Sequence, residues 1–415
     1  MRITRRHILL GAAAFGLAGC SSAPRGSAPV APRGGALGPE FRPQPNTSYD
    51  AWVQAFRARA QSRGISADTL NRAFRGAGYL PGVIDRDRNQ TEFRRSLEDY
   101  LALVAPEEKV AFGRRAAAGQ RQALAAVEGR YGVDANVLAG IWGVESYFGT
   151  KRGEIPVISS TSTLAWEGRR GAFFEANLMD ALKMIQSGDA RPEELLGSWA
   201  GASGHTQLMP NAFQRFAVDF DGNGRRDVWG PNPIDAFGTT ANYLAKSGWQ
   251  TGQPWGLEVT LPQGFSARIG KGAKRSVGEW QALGVQAARG SLPSGGSAAV
   301  LAPMGVGRPA FMVFRNFEVI LRYNPSENYG LGVGYLASRL AGGGPLVTGF
   351  GPDKHGLTLE DRQALQAGLS RAGFDAGTPD GVLGKKTEAA IRAYQQAKGL
   401  PVTGEPSQAL LQAVG

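Results

Sequence analysis

Cysteine is almost absent from this sequence, which has one in 415 residues, and histidine occurs only three times. A single cysteine cannot form a disulfide within one chain, and it leaves no cysteine-based zinc site and no thiol nucleophile in the body of the protein. Beyond the first residues only His205 and His355 remain, too few for a histidine zinc site. The hydrophobic run from Ile8 to Ala18 is too short to span a bilayer, which takes about 20 apolar residues.

The chain begins with the pattern of an export signal. MRITRRHILLGAAAFGLAGC has a basic start, an apolar stretch and small residues before Cys20, which predicts a signal peptide over residues 1–19. Arg5 and Arg6 resemble a twin-arginine export signal. The segment LAGC resembles a bacterial lipobox, in which Cys20 would be lipidated and become the first residue. The alternative is an ordinary secretory signal with a chance cysteine.

The charge balance favours an anionic partner outside the cytoplasm. Net charge is +11, and it falls to +8 when residues 1–19 are removed, because they hold three arginines and no acidic residue. Nucleic acid is rare outside the cytoplasm, so we expect none as a partner. Anionic lipid, reached through the N-terminal lipid, and anionic cell-wall polymer remain as candidates.

Composition and periodicity predict a modular and mainly helical chain. Residues 20–47 are rich in Ser, Pro, Gly and Arg, which predicts a flexible tether. Helical periodicity covers most of residues 48–340, whereas LEVTL and AFMVF predict a small β insertion at about 255–315. Glycines predict a linker over 341–355, and three short helices predict a separate small module over 356–415.

Glu145 lies in the segment AGIWGVESYFG, where every neighbour within four residues is apolar, aromatic, Gly or Ser. Asp134 is a suitable N-cap for its helix, and the carboxylate shares a face of that helix with apolar side chains. Desolvation would raise the pKa of such a carboxyl and make it a general acid at neutral pH, as in glycoside cleavage. The alternative is a structural glutamate paired with Lys151 or Arg152.

Several motifs in one order carry a resemblance to a known family. IWGVESYFG around Glu145 is followed by GSWAGA and QLMP within 197–210, AVDF at 217–220, DAFG and ANYL within 235–244, and RYN at 322–324. Over residues 48–340 the chain resembles the membrane-bound lytic transglycosylase B family. The resemblance implies a mainly α fold, with a lysozyme-like helical core, an α-helical N-terminal lobe, the β insertion and the C-terminal three-helix module.

The resemblance also implies a specific reaction. Such enzymes cleave the bond between N-acetylmuramic acid and N-acetylglucosamine in peptidoglycan without water. Glu145 would protonate the glycosidic oxygen and then take a proton from the muramic acid C6 hydroxyl as that oxygen attacks C1. The product is a 1,6-anhydro sugar, and one carboxylate suffices where ordinary glycosidases use two.

The same motifs imply a set of substrate-binding residues. By position, those that would bind sugar are Ser198, Gln207, Tyr243, Tyr323 and Asn324, with Tyr329 and Tyr100 aligned more loosely. Hydroxyl and amide groups bind sugars, and aromatic rings cover sugar faces. Arg169 and Arg170 would meet the carboxylates of the peptide stem. The alternatives are tyrosines packed in the core and arginines on a solvated surface. His205 stands where the family tends to have an aromatic residue, and we expect it in the groove or on the surface.

The loop DFDGNGRRD resembles the front half of a calcium-binding EF-hand. Asp219, Asp221 and Asn223 occupy alternate positions, but Gly230 stands where a bidentate glutamate is usual, so Asp235 would have to supply that oxygen pair. We expect no required cofactor. A structural calcium or sodium ion is one interpretation of the loop, and an ordinary Asp/Asn/Gly turn is the other.

The tail resembles a peptidoglycan-binding module through segments such as LQAGL, TPDG, TEAAI and GLPVTG. The prediction is therefore an exported, lipid-anchored, monomeric lytic transglycosylase of the Gram-negative periplasm, at the outer membrane because Ser21 follows the lipidated cysteine. Two alternatives stay open. A hydrolytic muramidase would need a second carboxylate, for which Asp219, Glu154 and Glu175 are the candidates. A non-enzymatic wall-binding lipoprotein would use Glu145 structurally.

Overall fold

The computed structural model describes residues 37–89 and 95–415, so the predicted signal peptide and Cys20 lie outside the described residues. Helices dominate this part of the chain. They are α1 Thr47–Ser62, α2 Ala67–Phe74, α3 Pro81–Arg88, α4 Leu97–Val104, α5 Glu107–Gly119, α6 Arg121–Tyr131, α7 Ala135–Ser146, α8 Val157–Glu167, α9 Gly171–Gln186, α10 Pro210–Phe216, α11 Ile234–Lys246, α12 Val277–Ala282, α13 Arg315–Tyr323, α14 Glu327–Leu340, α15 Leu359–Arg371, α16 Lys385–Ala397 and α17 Gln408–Val414. In the described ranges, none of them is both long and apolar enough to cross a membrane.

The first helices build an N-terminal lobe with its own core. The Asn46 side chain caps α1 by accepting a hydrogen bond from the Tyr49 backbone N–H at 3.0 Å. Side chains of α1, α2 and α9, among them Phe56, Leu70 and Leu182, are buried together. The predicted tether leads directly into this lobe, and the first residue that contacts the lobe marks the end of the tether.

The predicted tether extends too far along the chain. Pro39–Phe41 forms a 3-10 helix that packs on α3, and Gln44 pairs with Tyr79 in an antiparallel bridge. A Cβ at Gly82 would lie 2.8 Å from a backbone oxygen of this segment. The chain is therefore attached to the lobe several residues before α1 begins.

One predicted helix is two helices in the structure. Periodicity predicts a single helix over 107–130, whereas α5 ends at Gly119 and α6 begins at Arg121. The chain leaves helical geometry at Gln120, directly after a glycine, the residue that weakens a helix most after proline.

Helices α7 and α14 pack against each other in the largest core. As predicted, Asp134 caps α7, with its carboxylate accepting two backbone N–H groups of the first turn. The helices approach closely because α7 has a glycine at the contact. A Cβ at Gly140 would lie 2.8 Å from the Val333 carbonyl oxygen of α14. This contact holds α14 against the helix that carries Glu145.

The predicted β insertion lies between α11 and α13. Its strands are β3 Gly256–Thr260, β4 Arg275–Ser276, β5 Gln286–Ala287, β6 Ser297–Leu301 and β7 Ala310–Val313, paired antiparallel in the order β4-β6-β7-β3-β5. Side chains on one face of this sheet pack around Trp280 of α12. Side chains on the other face, among them Phe311 and Val313, belong to the largest core. A separate two-stranded ladder pairs β1 Ile155–Pro156 with β2 Leu196–Gly197.

The last three helices form the small C-terminal module. Thr358 and Asp361 begin α15 with the predicted capping box, in which each side chain accepts the backbone N–H of the other residue. Leu365, Ile391 and Leu410, one from each helix, meet in its core.

Candidate active site

Glu145 lies in the last turn of α7, where its carboxylate contacts α14. Tyr329 donates a hydrogen bond from its Oη to Glu145 Oε1 at 2.7 Å. Tyr329 is 3% exposed, so this bond is shielded from water. Of the two cations in the structural alternative, Arg152 donates to backbone carbonyls near Gly230, and the Lys151 ammonium lies 5.0 Å from a tyrosine ring.

Two more tyrosines adjoin this pair. Tyr323, at the end of α13, donates from its Oη to the Thr206 carbonyl oxygen at 2.5 Å, and its ring centre lies 5.2 Å from that of Tyr243. Tyr243 on α11 donates to the carbonyl of the residue before Tyr323, also at 2.5 Å. Burial, and then the negative charge of Glu145, raise the pKa of Tyr323 and of Tyr329 above the ordinary value for tyrosine. Both phenols therefore remain protonated donors at neutral pH.

Tyr100 completes the cluster from α4. Its ring packs on α14, where a Cβ at Gly332 would lie 2.5 Å from Tyr100 Cε1. Gly332 follows Tyr329 by one helical turn, and Tyr100 is among the groups that raise the pKa of Tyr329. The structure thus brings together five of the predicted site residues, which are Glu145, Tyr100, Tyr243, Tyr323 and Tyr329.

The remaining predicted sugar-binding residues lie in loops. The Ser198 Oγ accepts the Ala202 N–H at 3.2 Å, and the Asn324 Oδ1 accepts the Ser326 N–H at 3.1 Å. Gln207 has a left-handed backbone with φ of 51°, and its Nε2 donates to two backbone carbonyls at 2.8 and 2.9 Å. The Ser198 and Asn324 contacts are local, whereas the Gln207 amide reaches the Arg152 carbonyl oxygen 55 residues away. The place of the three side chains in the groove stays a prediction.

The chain turns sharply at the end of α7. Tyr147, Phe148 and Gly149 have consecutive positive φ values of 49°, 56° and 80°. The Ser146 Oγ accepts the Gly149 N–H at 2.9 Å and donates to the His205 carbonyl oxygen at 2.5 Å. The turn and the hydroxyl together fasten the end of the helix to the loop that holds Gln207.

His205 is buried, which corrects the expectation of a groove or surface residue. Its Nδ1 accepts a hydrogen bond from Trp142 Nε1 at 3.1 Å, and its Nε2 lies 2.7 Å from the Gly230 carbonyl oxygen. An accepting Nδ1 leaves the proton on Nε2, so the neutral ring donates to Gly230. Burial lowers the pKa of His205 to about 4. The neighbouring Thr206 is buried too, and its hydroxyl bonds to that of Thr240 at 3.0 Å.

Arg169 and Arg170 are held together by Asp87, which the sequence did not single out. Arg169 Nε lies 2.6 Å from Asp87 Oδ2, and Arg170 pairs with the other carboxylate oxygen. The aspartate side chain is 3% exposed, whereas the arginine side chains are 47% and 41% exposed. The pair therefore keeps one net positive charge that faces solvent. Its carboxylate partner lies some eighty residues away, and no local pattern indicates that contact.

The predicted metal loop brings three carboxylates together. Asp219, Asp221 and Asp235 each place one oxygen within 4.8 Å of the others. Asp235 is buried and accepts the backbone N–H groups of Phe220 and Asp227 at 2.7 and 2.9 Å, and burial raises its pKa. Like charges this close repel each other unless a proton or a cation lies between them, so the donor set fits a hard cation.

Two of the three predicted second carboxylates have other roles. Glu175 pairs with Arg59 at 2.9 Å, and Asp219 belongs to the loop just described. Glu154 is exposed on the turn before β1. These positions favour the reaction that uses a single carboxylate.

Comparison with known proteins identifies the family. Residues 48–338 match the transglycosylase SLT domain family, and residues 358–414 match the peptidoglycan binding domain family. The chain therefore belongs to the lytic transglycosylases with an SLT domain, joined to a C-terminal peptidoglycan-binding module. The predicted family and fold class are confirmed.

Three relatives illustrate how far the similarity reaches. The membrane-bound lytic murein transglycosylase B of Escherichia coli K12 is 32% identical over 218 residues, which is 51% of this chain and 58% of that protein's length. SltB3 from Pseudomonas aeruginosa, solved in complex with NAG-anhNAM-pentapeptide, is 44% identical with a TM-score of 0.71 and covers 89% of this chain and 100% of its own. The Escherichia coli lytic transglycosylase Slt35, solved in complex with calcium, is 27% identical with a TM-score of 0.60, covering 71% and 93%.

Proposed function

We propose that this chain is a lytic transglycosylase that cleaves the β-1,4 bond between N-acetylmuramic acid and N-acetylglucosamine in peptidoglycan without water. The observation that carries the proposal is Glu145, half-buried in the helical core and hydrogen-bonded by Tyr329 Oη at 2.7 Å, in a chain of the SLT family. The ligand in the SltB3 structure carries an anhydro sugar, the kind of end that this reaction makes.

Glu145 acts first as an acid and then as a base. In the first step its proton passes to the glycosidic oxygen, the bond from that oxygen to C1 breaks, and positive charge develops at C1. Tyr329 then donates to a full carboxylate, so its hydrogen bond strengthens as the proton leaves. In the second step the carboxylate takes the proton of the C6 hydroxyl while the C6 oxygen bonds to C1. The anhydro ring closes and Glu145 is protonated again.

The groove residues would share the work of holding the glycan. The hydroxyls of Tyr243 and Tyr323 already donate to backbone carbonyls, so they fix the two rings, and the ring faces are left to cover sugars. Ser198, Gln207 and Asn324 would supply hydroxyl and amide groups to the N-acetyl groups and sugar hydroxyls, with Tyr100 as a further ring. Arg169 and Arg170, with the positive charge that Asp87 leaves them, would meet the peptide-stem carboxylates.

A calcium ion would stabilise the acidic loop without entering the chemistry. Asp219, Asp221 and Asp235 would be its carboxylate ligands. Asn223, two residues after Asp221 and directly before the glycine of the turn, would add an amide oxygen. The ion would neutralise the repulsion of the three carboxylates and tie the start of α11, which carries Tyr243, to the loop. No cofactor is required for the reaction itself.

The N-terminal features support a place in the cell envelope. We propose that residues 1–19 direct export, that Cys20 carries a lipid, and that the mature enzyme acts as a monomer on the wall of a Gram-negative periplasm, at the outer membrane. The membrane-bound name of the Escherichia coli relative agrees with an anchored enzyme. A Cys20→Ala variant is then expected in the soluble periplasmic fraction, and light scattering of the purified mature chain should give one subunit.

Product analysis separates the proposed function from its alternatives. Purified sacculi are digested with the wild type, with Glu145→Gln, and with Glu108→Gln as a control for an exposed carboxylate on α5, and released muropeptides are weighed by mass spectrometry. We expect anhydro-muropeptides from the wild type and the control, and none from Glu145→Gln. Reducing ends would identify a muramidase, and no release by the wild type would identify a wall-binding lipoprotein. Normal cleavage by Glu145→Gln would refute the catalytic assignment.

A further inference from the structure

One buried arginine docks the C-terminal module onto the catalytic domain. Arg362 of α15 is 3% exposed, and its Nη2 lies 2.6 Å from Glu98 Oε2 and 3.4 Å from Asp99 Oδ1, both in the first turn of α4. Its Nη1 lies 3.2 Å from Asp353 Oδ2 before the module, and its Nε donates to the Gly381 carbonyl at 2.8 Å. The guanidinium thus joins module, linker and catalytic domain at one point.

The segment predicted as a linker is also held by the β insertion. Glu258 of β3 accepts the backbone N–H groups of Val347 and Thr348 at 2.9 and 2.8 Å. Arg308, before β7, donates to the Pro352 carbonyl oxygen at 3.3 Å. These contacts attach the connection to the sheet over several residues, so the module has a defined position rather than a range of positions.

The ion pairs carry much of the specificity of this docking. A cleft of about 690 Å³ opens beside Arg362, with Ser96 and Glu98 of the catalytic domain and Gly384 and Arg392 of the module on its walls. Glu98 and Arg362 are both buried, and a buried charge is costly unless an opposite charge compensates it, so replacing either residue alone would weaken this contact. Their geometry therefore sets the distance between α15 and α4.

Helix α4 connects this contact to the active site. It is only eight residues long and begins at the Ser96 cap, whose Oγ accepts the Asp99 N–H at 3.1 Å. Tyr100 follows directly, with its ring against Gly332, one turn from the tyrosine that donates to Glu145. A short helix moves as a unit, so a shift of its first turn displaces the Tyr100 ring.

We propose that Arg362 is a positioning residue for the reaction: by holding the first turn of α4 it places Tyr100 beside Tyr329, so the docked module supports the geometry of the active site. This inference rests on the proposed function. A module that only tethers the enzyme raises its concentration at the wall and leaves turnover of a small dissolved substrate unchanged. A module that positions Tyr100 also governs turnover of a substrate that never touches it.

The test compares two substrates in the full-length mature protein. One is insoluble sacculi, and the other is a soluble tetrasaccharide of alternating N-acetylglucosamine and N-acetylmuramic acid. The double variant Arg362→Met/Glu98→Gln removes both buried charges, so neither is stranded. We expect its kcat on the tetrasaccharide to fall about ten- to hundredfold, while sedimentation with sacculi stays at the wild-type level. Lys386→Met is the control, because its ion pair with Asp375 lies within the module and Lys386 does not line the cleft.

Further variants separate positioning from a loss of folding. Thermal melts define a temperature at which each protein is folded, and kinetics are measured there. Arg362→Lys keeps the charge and is expected to recover part of the lost kcat. If the double variant fails to fold, Arg362→Lys and Glu98→Gln are measured as single variants in its place. A folded variant with wild-type kcat on the tetrasaccharide would overturn the proposal, whatever its activity on sacculi. If the wild type made no anhydro product from the tetrasaccharide, the proposed function would fail instead, independently of Arg362.

Discussion

Replacing Tyr329 by phenylalanine removes one oxygen atom, the donor that contacts Glu145 Oε1 at 2.7 Å. A hydrogen bond to a charged group is worth about 1.5–3 kcal/mol, and it is strongest when the carboxylate is fully ionised. In the first step of the proposed reaction Glu145 becomes ionised, so most of this energy would belong to the transition state and not to the starting complex. The expected loss is therefore about ten- to hundredfold in kcat, with little change in KM.

The assay measures anhydro-muropeptide release from sacculi and from a soluble tetrasaccharide, together with a thermal melt of each variant. Tyr335→Phe is the matched control, because it lies on the same helix and its hydroxyl contacts Arg339 at 3.1 Å rather than Glu145. A Tyr329→Phe variant that melts like the wild type and keeps kcat within a factor of two would show that this hydrogen bond does not support the acid, and the reasoning above would be wrong.

Four other predictions follow from buried or shared charges. The His205 pKa of about 4 lies below its unfolded value, so only the unfolded state takes up a proton as the pH falls from 6.5 to 4. The free energy of unfolding should therefore drop by about 3 kcal/mol over that range, and by less in His205→Gln. Denaturant melts at both pH values measure this difference. Burial, and then Lys151, lower the pKa of Lys109 to about 8, so this group makes stability rise with pH between about 8 and 10.5; Lys109→Met should be about 2 kcal/mol more stable at pH 7 and lack that rise. Calcium should raise the melting temperature of the wild type by several degrees and leave Asp219→Asn unchanged, with chelator as the reverse test. Asp87 holds Arg169 and Arg170, so Asp87→Asn should raise KM for glycan that carries peptide stems and leave kcat on stem-free glycan unchanged. An equal loss of activity on the two glycans would show that the arginine pair does not contact the stem.

Local patterns predicted the elements whose signals are contiguous in sequence. Asp134 and the Thr358 capping box stand at the start of their helices, as predicted, and the predicted strands β3 and β7 are present. The five-residue strand β6 was missed, because its first residues, Ser-Ala-Ala, have little preference for strands. The strands β4 and β5 have two residues each, too few for an alternating pattern to register. The predicted tether includes residues 39–44, which pack on the N-terminal lobe. Pro and Gly content indicates the backbone preference of a segment, but it does not show which residues the segment contacts.

Local sequence was enough to propose Glu145 as the acid, but it did not indicate which side chain contacts its carboxylate. Glu145 is conspicuous because its neighbours in sequence are all apolar or small, whereas its contact with Tyr329 joins residues 184 apart. His205 shows that local sequence also misjudges burial. It was expected in the groove or on the surface, but it is buried and accepts a hydrogen bond from Trp142, 63 residues away in sequence. The charge pairing of Arg362 with Glu98 spans 264 residues and no local signal marks it.

The sharp turn at Tyr147 and Phe148 has an electrostatic consequence for the acid. Because it stops α7 at Ser146, Glu145 occupies the last turn, next to backbone carbonyls whose aligned dipoles place about half a negative charge at that end. A carboxylate there is destabilised by about 0.3–1 kcal/mol relative to the same group in mid-helix, and a carboxylic acid is not. In the proposed reaction, the backbone that ends the helix would thus favour the protonated form of Glu145 that donates to the glycan oxygen.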